Sequence, residues 1–100
     1  MADADYIRCH YSVTCETSDL AVLHCLRALS QYAEQSNVPK SLPWGGTGEK
    51  RWRSDGDRAT FRFTDPEYRE GFVSEAQRLL PTGSFKVVGR SDTDPASRQR

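Results

Sequence analysis

Apolar and polar residues alternate near the start of the chain and again near its end, and each alternation predicts a half-buried β-strand. The first strand is expected at Tyr6–Cys15 and the last at Ser84–Arg90. Successive side chains of a strand point to opposite faces, so one face should pack on a core while the other meets solvent. The core face of the first strand is expected to carry Ile7, Cys9, Tyr11, Val13 and Cys15.

A β-hairpin is predicted at Lys50–Thr64, KRWRSDGDRATFRFT. Its centre is Asp55-Gly56, a dipeptide that favours a two-residue type I′ turn because both residues tolerate positive φ. This turn sets a register with one apolar face and one basic face. The apolar face comprises Trp52, Ala59, Phe61 and Phe63. The basic face comprises Arg51, Arg53, Arg58, Thr60 and Arg62.

Two further segments have apolar residues at helical spacing. The first helix is expected to run for about 17 residues after a cap at Thr17 or Ser18. Its apolar stripe comprises Val22, Cys25, Leu26, Leu29, Tyr32 and Ala33. The second helix should begin at Asp65-Pro66, with the aspartate as N-cap, and end before Pro81. Its stripe comprises Tyr68, Phe72, Ala76 and Leu79.

The predicted order of elements is β-α-β-β-α-β, which favours a ferredoxin-like α+β sandwich. In that fold a four-stranded antiparallel sheet carries both helices on one face and leaves the other face open. A length of 100 residues fits a single domain, which we place at residues 1–90. Residues 91–100 contain no large apolar side chain and are expected to form a disordered tail.

The open face of this sheet is predicted to be basic, although the whole chain is neutral with 14 basic and 14 acidic residues. Between Lys50 and Arg62, five basic residues stand against two acidic ones, a net charge of +3. Arginine matches carboxylates and phosphates with a bidentate fork, so the face is either a solvated surface or the binding site of an anionic partner. The candidate partner-binding residues on it are Arg8, His10, Arg51, Arg53, Arg58, Arg62 and Lys86.

The irregular segment at residues 37–49 adds one aromatic candidate, Trp44, which lies between a proline and two glycines. Two roles fit this indole: a lid over the edge of the core, and an anchor for a partner, since interfaces favour tryptophan. We therefore include Trp44 among the candidate partner-binding residues.

These features favour a small, non-enzymatic binding module. The lead hypothesis is an adaptor, or an inhibitor of a larger macromolecular complex, whose basic sheet face engages an acidic protein surface. Inhibitors encoded by phages and other mobile elements are often built this way, an analogy of size and style alone. The alternative is a nucleic-acid-binding domain that uses the same arginine-rich face. We expect a monomer or a homodimer.

The run RATFRFTDPEYREGFVSEA at residues 58–76 resembles the third strand and second helix of RNA-recognition motifs. That resemblance implies the same topology, with an open sheet that binds RNA. In those domains aromatic side chains on the open face stack on bases. In this chain Phe61 and Phe63 are expected on the apolar face, and Thr60 and Arg62 take the open positions.

Patterns for catalysis or metal binding are absent from the sequence. The three cysteines, Cys9, Cys15 and Cys25, form no CxxC pair and are all expected to be buried thiols. His10 and His24 are expected at the surface. The run Trp44–Gly48 is rich in glycine but does not match the phosphate-binding loop pattern. We therefore expect no enzymatic activity, no cofactor and no metal.

The expected location is the cytoplasm, without membrane association. No apolar run approaches the ~18 residues typical of a membrane-spanning helix, and the first residues lack the pattern of a signal peptide. An odd number of cysteines without disulfide spacing fits a reducing compartment.

Overall fold

The computed structural model describes residues 8–35 and 49–94, and in the second range it describes side chains from residue 52 onward. Six elements lie in these ranges: β1 (Tyr11–Glu16), α1 (Leu20–Ala33), α2 (Glu49–Ser54), β2 (Arg58–Phe63), α3 (Pro66–Leu79) and β3 (Lys86–Ser91). They form an α+β domain in which the three described strands make an antiparallel sheet with the order β2-β1-β3.

The predicted four-stranded ferredoxin-like sheet is wrong for the described part of the chain, because the first arm of the predicted hairpin is a helix. Residues 50–54 belong to α2. Trp52 is the single apolar residue of this helix, so its segment carries no alternation, and its glutamate, lysine and arginines favour a helix. The order of the described elements is therefore β-α-α-β-α-β.

The Asp55-Gly56 dipeptide ends α2 instead of joining two strands. Gly56 and Asp57 have φ values of 75° and 64°, in the left-handed region. The Gly56 N–H donates to the Arg53 carbonyl at 3.3 Å, and the Asp57 N–H donates to the Trp52 carbonyl at 2.9 Å. This pair of bonds is a Schellman motif, a common helix end at glycine. Positive φ therefore occurs at the glycine, but it serves a helix end.

β1 is the central strand of the described sheet and is shorter than predicted. It begins at Tyr11, so Arg8 and His10 precede the strand instead of lying within it. The first residues of the predicted strand, Tyr6 and Ile7, lie outside the described ranges. β1 pairs with β2 along one edge and with β3 along the other.

The register of the sheet defines its core face. Residues directly opposite each other in antiparallel strands share a face. Val13 lies opposite Phe61, and Cys15 lies opposite both Ala59 and Val87. These side chains belong to the hydrophobic core or pack against it, which places the core face under the helices.

β3 contains a β-bulge. Its Val87 lies opposite Cys15 in β1, but Gly89 lies opposite Thr14, so Val88 is an extra residue in β3. One extra residue shifts the alternation of every residue that follows it in the strand.

The bulge moves Arg90 to the helix-covered face. Arg90 lies opposite Val13, and its guanidinium donates two hydrogen bonds of 3.0 Å to the carboxylate of Glu70 in α3. Alternation in the sequence predicts Arg90 on the open face together with Lys86. That prediction is wrong because the apolar pattern gives no sign of a bulge.

The core lies between the sheet and the two long helices. The ring of Phe72 in α3 lies 5.0 Å from that of Phe61 and 5.4 Å from that of Phe63, measured between ring centroids. All three rings are fully buried, which confirms their predicted place in the core. Leu23 and Leu26 of α1 complete the same cluster.

Trp52 attaches α2 to this core. Its side chain is buried, and its indole Nε1–H donates to the carbonyl of Thr17 at 2.9 Å. The Thr17 N–H in turn donates to the carbonyl of Asp57 at 3.0 Å. The predicted burial of Trp52 is confirmed, although it comes from a helix and not from a strand.

The buried side of α1 is turned relative to the predicted stripe. Its N-cap is Asp19, whose carboxylate accepts a hydrogen bond from the Ala21 N–H at 2.9 Å. Leu23 is fully buried, whereas Cys25 and Tyr32 are exposed, so both of these assignments are wrong. A leucine has more apolar area than a cysteine, and its burial therefore stabilises the fold more.

The second long helix has the predicted start. Asp65 is the N-cap of α3, its carboxylate accepts a hydrogen bond from the Glu67 N–H at 2.8 Å, and Pro66 is the first residue of the helix. Leu79, assigned to the apolar stripe of this helix, is exposed.

We expect Phe72→Ala to lower the free energy of unfolding by about 3–5 kcal/mol, because it removes a fully buried ring between two others. The exposed Leu79→Ala on the same helix is the control, with an expected loss below about 1 kcal/mol. Urea denaturation measures both. Similar losses for the two variants would contradict the described packing of α3.

Candidate functional site

The open face of the sheet carries three cross-strand rows of side chains. We name each row after its residue in β1 and give its members in the order β2, β1, β3. The Ser12 row is Arg62, Ser12 and Ser91; the Thr14 row is Thr60, Thr14 and Gly89; the Glu16 row is Arg58, Glu16 and Lys86. Because opposite residues share a face, the rows form one continuous surface opposite the helices.

The Glu16 row joins two cations through one carboxylate. Glu16 accepts a hydrogen bond from Arg58 Nε at 3.0 Å and lies 3.3 Å from Lys86 Nζ. The hydrogen bond from Arg58, followed by that from Lys86, holds the pKa of Glu16 below its usual value. Both cations are largely exposed. The row has two positive charges and one negative charge, a surplus of +1.

The Thr14 row is small and uncharged. The hydroxyl groups of Thr14 and Thr60 are hydrogen-bonded to each other at 2.9 Å, and Gly89 on the other side of Thr14 adds no side chain. The middle of the face is therefore a shallow polar floor without an aromatic ring. The rows lack the stacking platform that the resemblance to RNA-recognition motifs implies.

The Ser12 row is closed by an ion pair. Arg62 donates to both carboxylate oxygens of Asp94 at 3.2 Å, and its Nε donates to the Asp94 carbonyl at 3.0 Å. Ser12 in the centre of the row is buried. Arg62 is therefore engaged by a residue that follows β3 in the chain.

We call Ser91–Asp94 the acidic segment. Its backbone is joined to the residue that precedes β1: the Asp94 N–H donates to the His10 carbonyl at 3.0 Å, and His10 Nδ1–H donates to the Asp92 carbonyl at 2.6 Å. Arg69 of α3 binds the same segment, with Nη1 2.6 Å from the Asp92 carboxylate and 3.1 Å from the Ser91 carbonyl.

The acidic segment falls within residues 91–100, for which a disordered tail is predicted. Ser91 is the last residue of β3, and residues 92–94 make the contacts given above. Residues 95–100 lie outside the described ranges, so the rest of the tail stays a prediction.

A second ion-pair cluster lies on the helix-covered side of the sheet. Glu70 accepts hydrogen bonds from Arg90 at 3.0 Å and from Arg69 Nε at 2.8 Å. The bonds from Arg90 first, and then those from Arg69, hold the pKa of Glu70 below its usual value, against an opposing effect of burial.

The structure places four of the predicted partner-binding residues as two pairs, one at each end of the open face. Arg58 and Lys86 flank Glu16 at one end of the open face. Arg62 and His10 meet the acidic segment at the other end. Arg8 is exposed and lies two residues before His10 in the chain.

The remaining predicted residues do not lie on the described sheet. Arg53 belongs to α2, where it pairs with Asp57 at 2.9 Å and lies 4.0 Å from the centroid of the Trp52 ring. Arg51 belongs to the same helix, and its side chain is not among those described. Trp44 lies outside the described ranges. The prediction that Arg51 and Arg53 share a sheet face with Arg58 is wrong because their segment is helical.

Sequence reasoning missed the acidic members of this surface. Glu16 continues the alternation of β1 by one residue, so extending the strand past Cys15 would place it on the open face. Asp92 and Asp94 give no periodic signal, because their position depends on contacts with Arg69 and Arg62, more than 20 residues away in sequence.

A cleft of about 530 Å³ opens beside the Glu16 row. Its walls come from the loops that follow β1 and α2 and from the loop that precedes β3. Glu16, Asp57 and Lys86 contribute charged groups, and Thr17 Oγ1 donates to the Ser84 carbonyl at 2.8 Å within the lining. A cleft of this size can accept a side chain or a short loop of a partner.

The chain matches no protein-family model, no curated protein and no solved structure. Among residues 8–35 and 49–94, no group of three or more histidine, cysteine, aspartate or glutamate side chains is placed to hold a metal ion. None of the helices in these ranges combines the length and the apolar character needed to cross a membrane.

The ion pairs of Glu70 predict an acid-sensitive contribution to stability. A carboxyl with a lowered folded-state pKa stabilises the fold above its unfolded pKa, and this contribution is lost as the pH falls through the folded pKa. Wild type should therefore be more stable than Glu70→Gln at pH 7, and the difference should shrink below about pH 4.3. Urea denaturation from pH 7 to pH 3 measures this difference, with exposed Glu67→Gln as control. A difference that stays constant over this range would contradict the prediction.

The three cysteines should differ in reactivity. Burial raises the pKa of the Cys15 thiol to about 12, and Cys9 is also fully buried, whereas Cys25 is exposed. Because the thiolate is the nucleophile, a maleimide at pH 7 should modify Cys25 alone in the folded protein. Mass spectrometry counts the modified sites, and Cys25→Ser should abolish the folded-state reaction. Rapid modification of Cys15 without denaturant would contradict the described core.

Proposed function

We propose that this chain is a non-enzymatic binding module, an adaptor or an inhibitor of a larger complex, whose open sheet face engages an acidic protein surface. The observation that carries the proposal is the Glu16 row. Arg58 and Lys86 share one carboxylate and are largely exposed, so each cation has room for a carboxylate of a partner. Arginine is suited to such a contact because its planar fork can donate two parallel hydrogen bonds to a carboxylate.

The shape of the face supports a protein partner over a nucleic acid. The Thr14 row is a flat polar floor that suits close contact with another protein surface, and the cleft beside Lys86 can take a projecting group. Single-stranded nucleic acids are bound with exposed aromatic rings together with several cations along a groove. The three rows contain no aromatic side chain.

The states of the reactive side chains support a binding role over catalysis. His10 Nδ1–H is engaged with the Asp92 carbonyl, and the raised pKa of Cys15 keeps its thiol protonated near neutral pH. A nucleophilic cysteine needs the opposite shift. The three free thiols also support the cytoplasm as the compartment of this proposed module.

The test compares two exposed arginines in similar surroundings. Arg58 donates to Glu16 at 3.0 Å on the open face, and Arg78 donates to Glu75 at 2.9 Å on α3. Each loses one ion pair when it is replaced by glutamate. The partner is captured from the native cell, identified by mass spectrometry and purified for binding measurements with both variants.

We expect Arg58→Glu to weaken binding of the purified partner at least about tenfold, and its combination with Lys86→Glu to weaken binding further, because like charges then meet across the interface. Arg78→Glu should change the affinity by less than about twofold, since it lies outside the face. Unchanged binding by the open-face variant, or an equal loss with both variants, would contradict the proposal. Binding to short DNA or RNA at low salt, with a salt slope that falls by about one for each lost contact, would instead indicate a nucleic-acid partner.

A further inference from the structure

The pairs between the acidic segment and its two arginines are unequal in burial. In the pair of Arg62 and Asp94, the side chains are 20% and 40% exposed. In the pair of Arg69 and Asp92, they are 10% and 66% exposed. The cations are thus the buried members and the carboxylates the exposed ones. In the Glu16 row the order is reversed, since Arg58 is 55% exposed and Glu16 is 27% exposed.

The two arginines are held in place by elements that do not depend on the acidic segment. Arg62 belongs to β2 and lies beside the buried Ser12 in the sheet. Arg69 belongs to α3, and its Nε donates to Glu70 at 2.8 Å. If the acidic segment moved away, the Arg69 guanidinium would therefore keep its bond to Glu70, and the backbone of Arg62 would stay fixed in β2.

The acidic segment itself is held by polar contacts. Its residues beyond Ser91 are Asp92, Thr93 and Asp94, none of which offers a large apolar side chain to the core. Its anchors are the two ion pairs and the backbone bonds to His10. In both ion pairs the carboxylate is the more exposed member, so a ligand that carries carboxylates can approach and compete for these contacts.

We propose that the acidic segment is an internal competitor. It occupies a binding site, formed by Arg62 and Arg69, for a carboxylate-bearing stretch of the partner protein. The inference rests on the proposed function and specifies the chemistry of the partner: a short stretch with two carboxylates separated by one residue. In this chain that pattern is Ser91-Asp92-Thr93-Asp94.

Because the acidic segment occupies the site on Arg62 and Arg69, the partner must displace this segment in order to bind. The free protein presents Arg58 and Lys86, whereas Arg62 and Arg69 become available when residues 92–94 leave. A segment of the same chain competes at an effective concentration in the millimolar range, so a weak ligand is excluded and a strong one is accepted.

The experiment uses the full chain and a synthetic peptide, acetyl-Ser-Asp-Thr-Asp-amide, as the probe. Binding is measured by NMR from the Nε–H signals of Arg62 and Arg69, with wild type compared to Asp92→Asn combined with Asp94→Asn. The control is Glu67→Gln combined with Glu75→Gln, which makes the same change in net charge at two residues of α3 outside the acidic segment. The amide spectrum of each variant shows that it is folded.

We expect the asparagine variant to bind the peptide at least about tenfold more tightly than wild type, because its own segment no longer competes. The glutamine control should match wild type, and adding Arg62→Ala to the asparagine variant should abolish the gain. Equal affinity of wild type and the asparagine variant, an equal gain in the glutamine control, or no binding to any variant would overturn the inference. If the asparagine variant loses its fold, Asp94→Asn alone must show the same direction of change.

The outcome is separable from that of the proposed function. Loss of the partner by the Arg58 and Lys86 variant, together with equal peptide binding, would overturn the internal competitor and leave the binding module standing. Tight peptide binding by the asparagine variant, together with unchanged capture of the partner by the Arg58 and Lys86 variant, would overturn the proposed function instead.

Discussion

The described structure depends on β1, the strand that is paired along both edges. Its core face places Val13 and Cys15 against both neighbouring strands and under the helices. Its opposite face ends in Glu16, which joins a cation from each edge strand. His10, the residue before β1, binds the acidic segment through its backbone and its ring. A shift of β1 by one residue would exchange its two faces. The core contacts and both ends of the candidate site would then be lost together.

On the open face, the cations of the three rows are each paired with a carboxylate. Two carboxylates, from Glu16 and Asp94, pair with the three cations of the rows and leave a surplus of one positive charge. A polycationic surface attracts any anion and loses its affinity steeply with salt. A face of paired cations favours a ligand that replaces the existing carboxylates with similar geometry, which is a basis for selectivity among acidic partners.

Sequence patterns that span a few residues predicted the start of one helix and the buried face of one strand. Asp65 and Pro66 gave the start of α3, and the alternation of β2 gave the buried Phe61 and Phe63. The errors arose where one local signal serves two structures: Gly56 supplies a positive φ that suits both a hairpin turn and a helix end. Sequence reasoning also failed where distant groups decide the outcome. Which side of α1 is buried depends on the side chains of the sheet that pack against this helix. The position of the acidic segment depends on arginines in other elements.

The extra residue Val88 in β3 decides on which face of the sheet the charge of Arg90 lies. If β3 continued its regular register past Val87, Val88 would lie opposite Thr14 and Arg90 opposite Ser12. Arg90 would then emerge on the open face, and Glu70 would lose the partner that bonds it twice. The composition would be almost unchanged, yet the molecule would present a different electrostatic surface. Insertions and deletions in an edge strand can therefore alter what such a face recognises more abruptly than substitutions do.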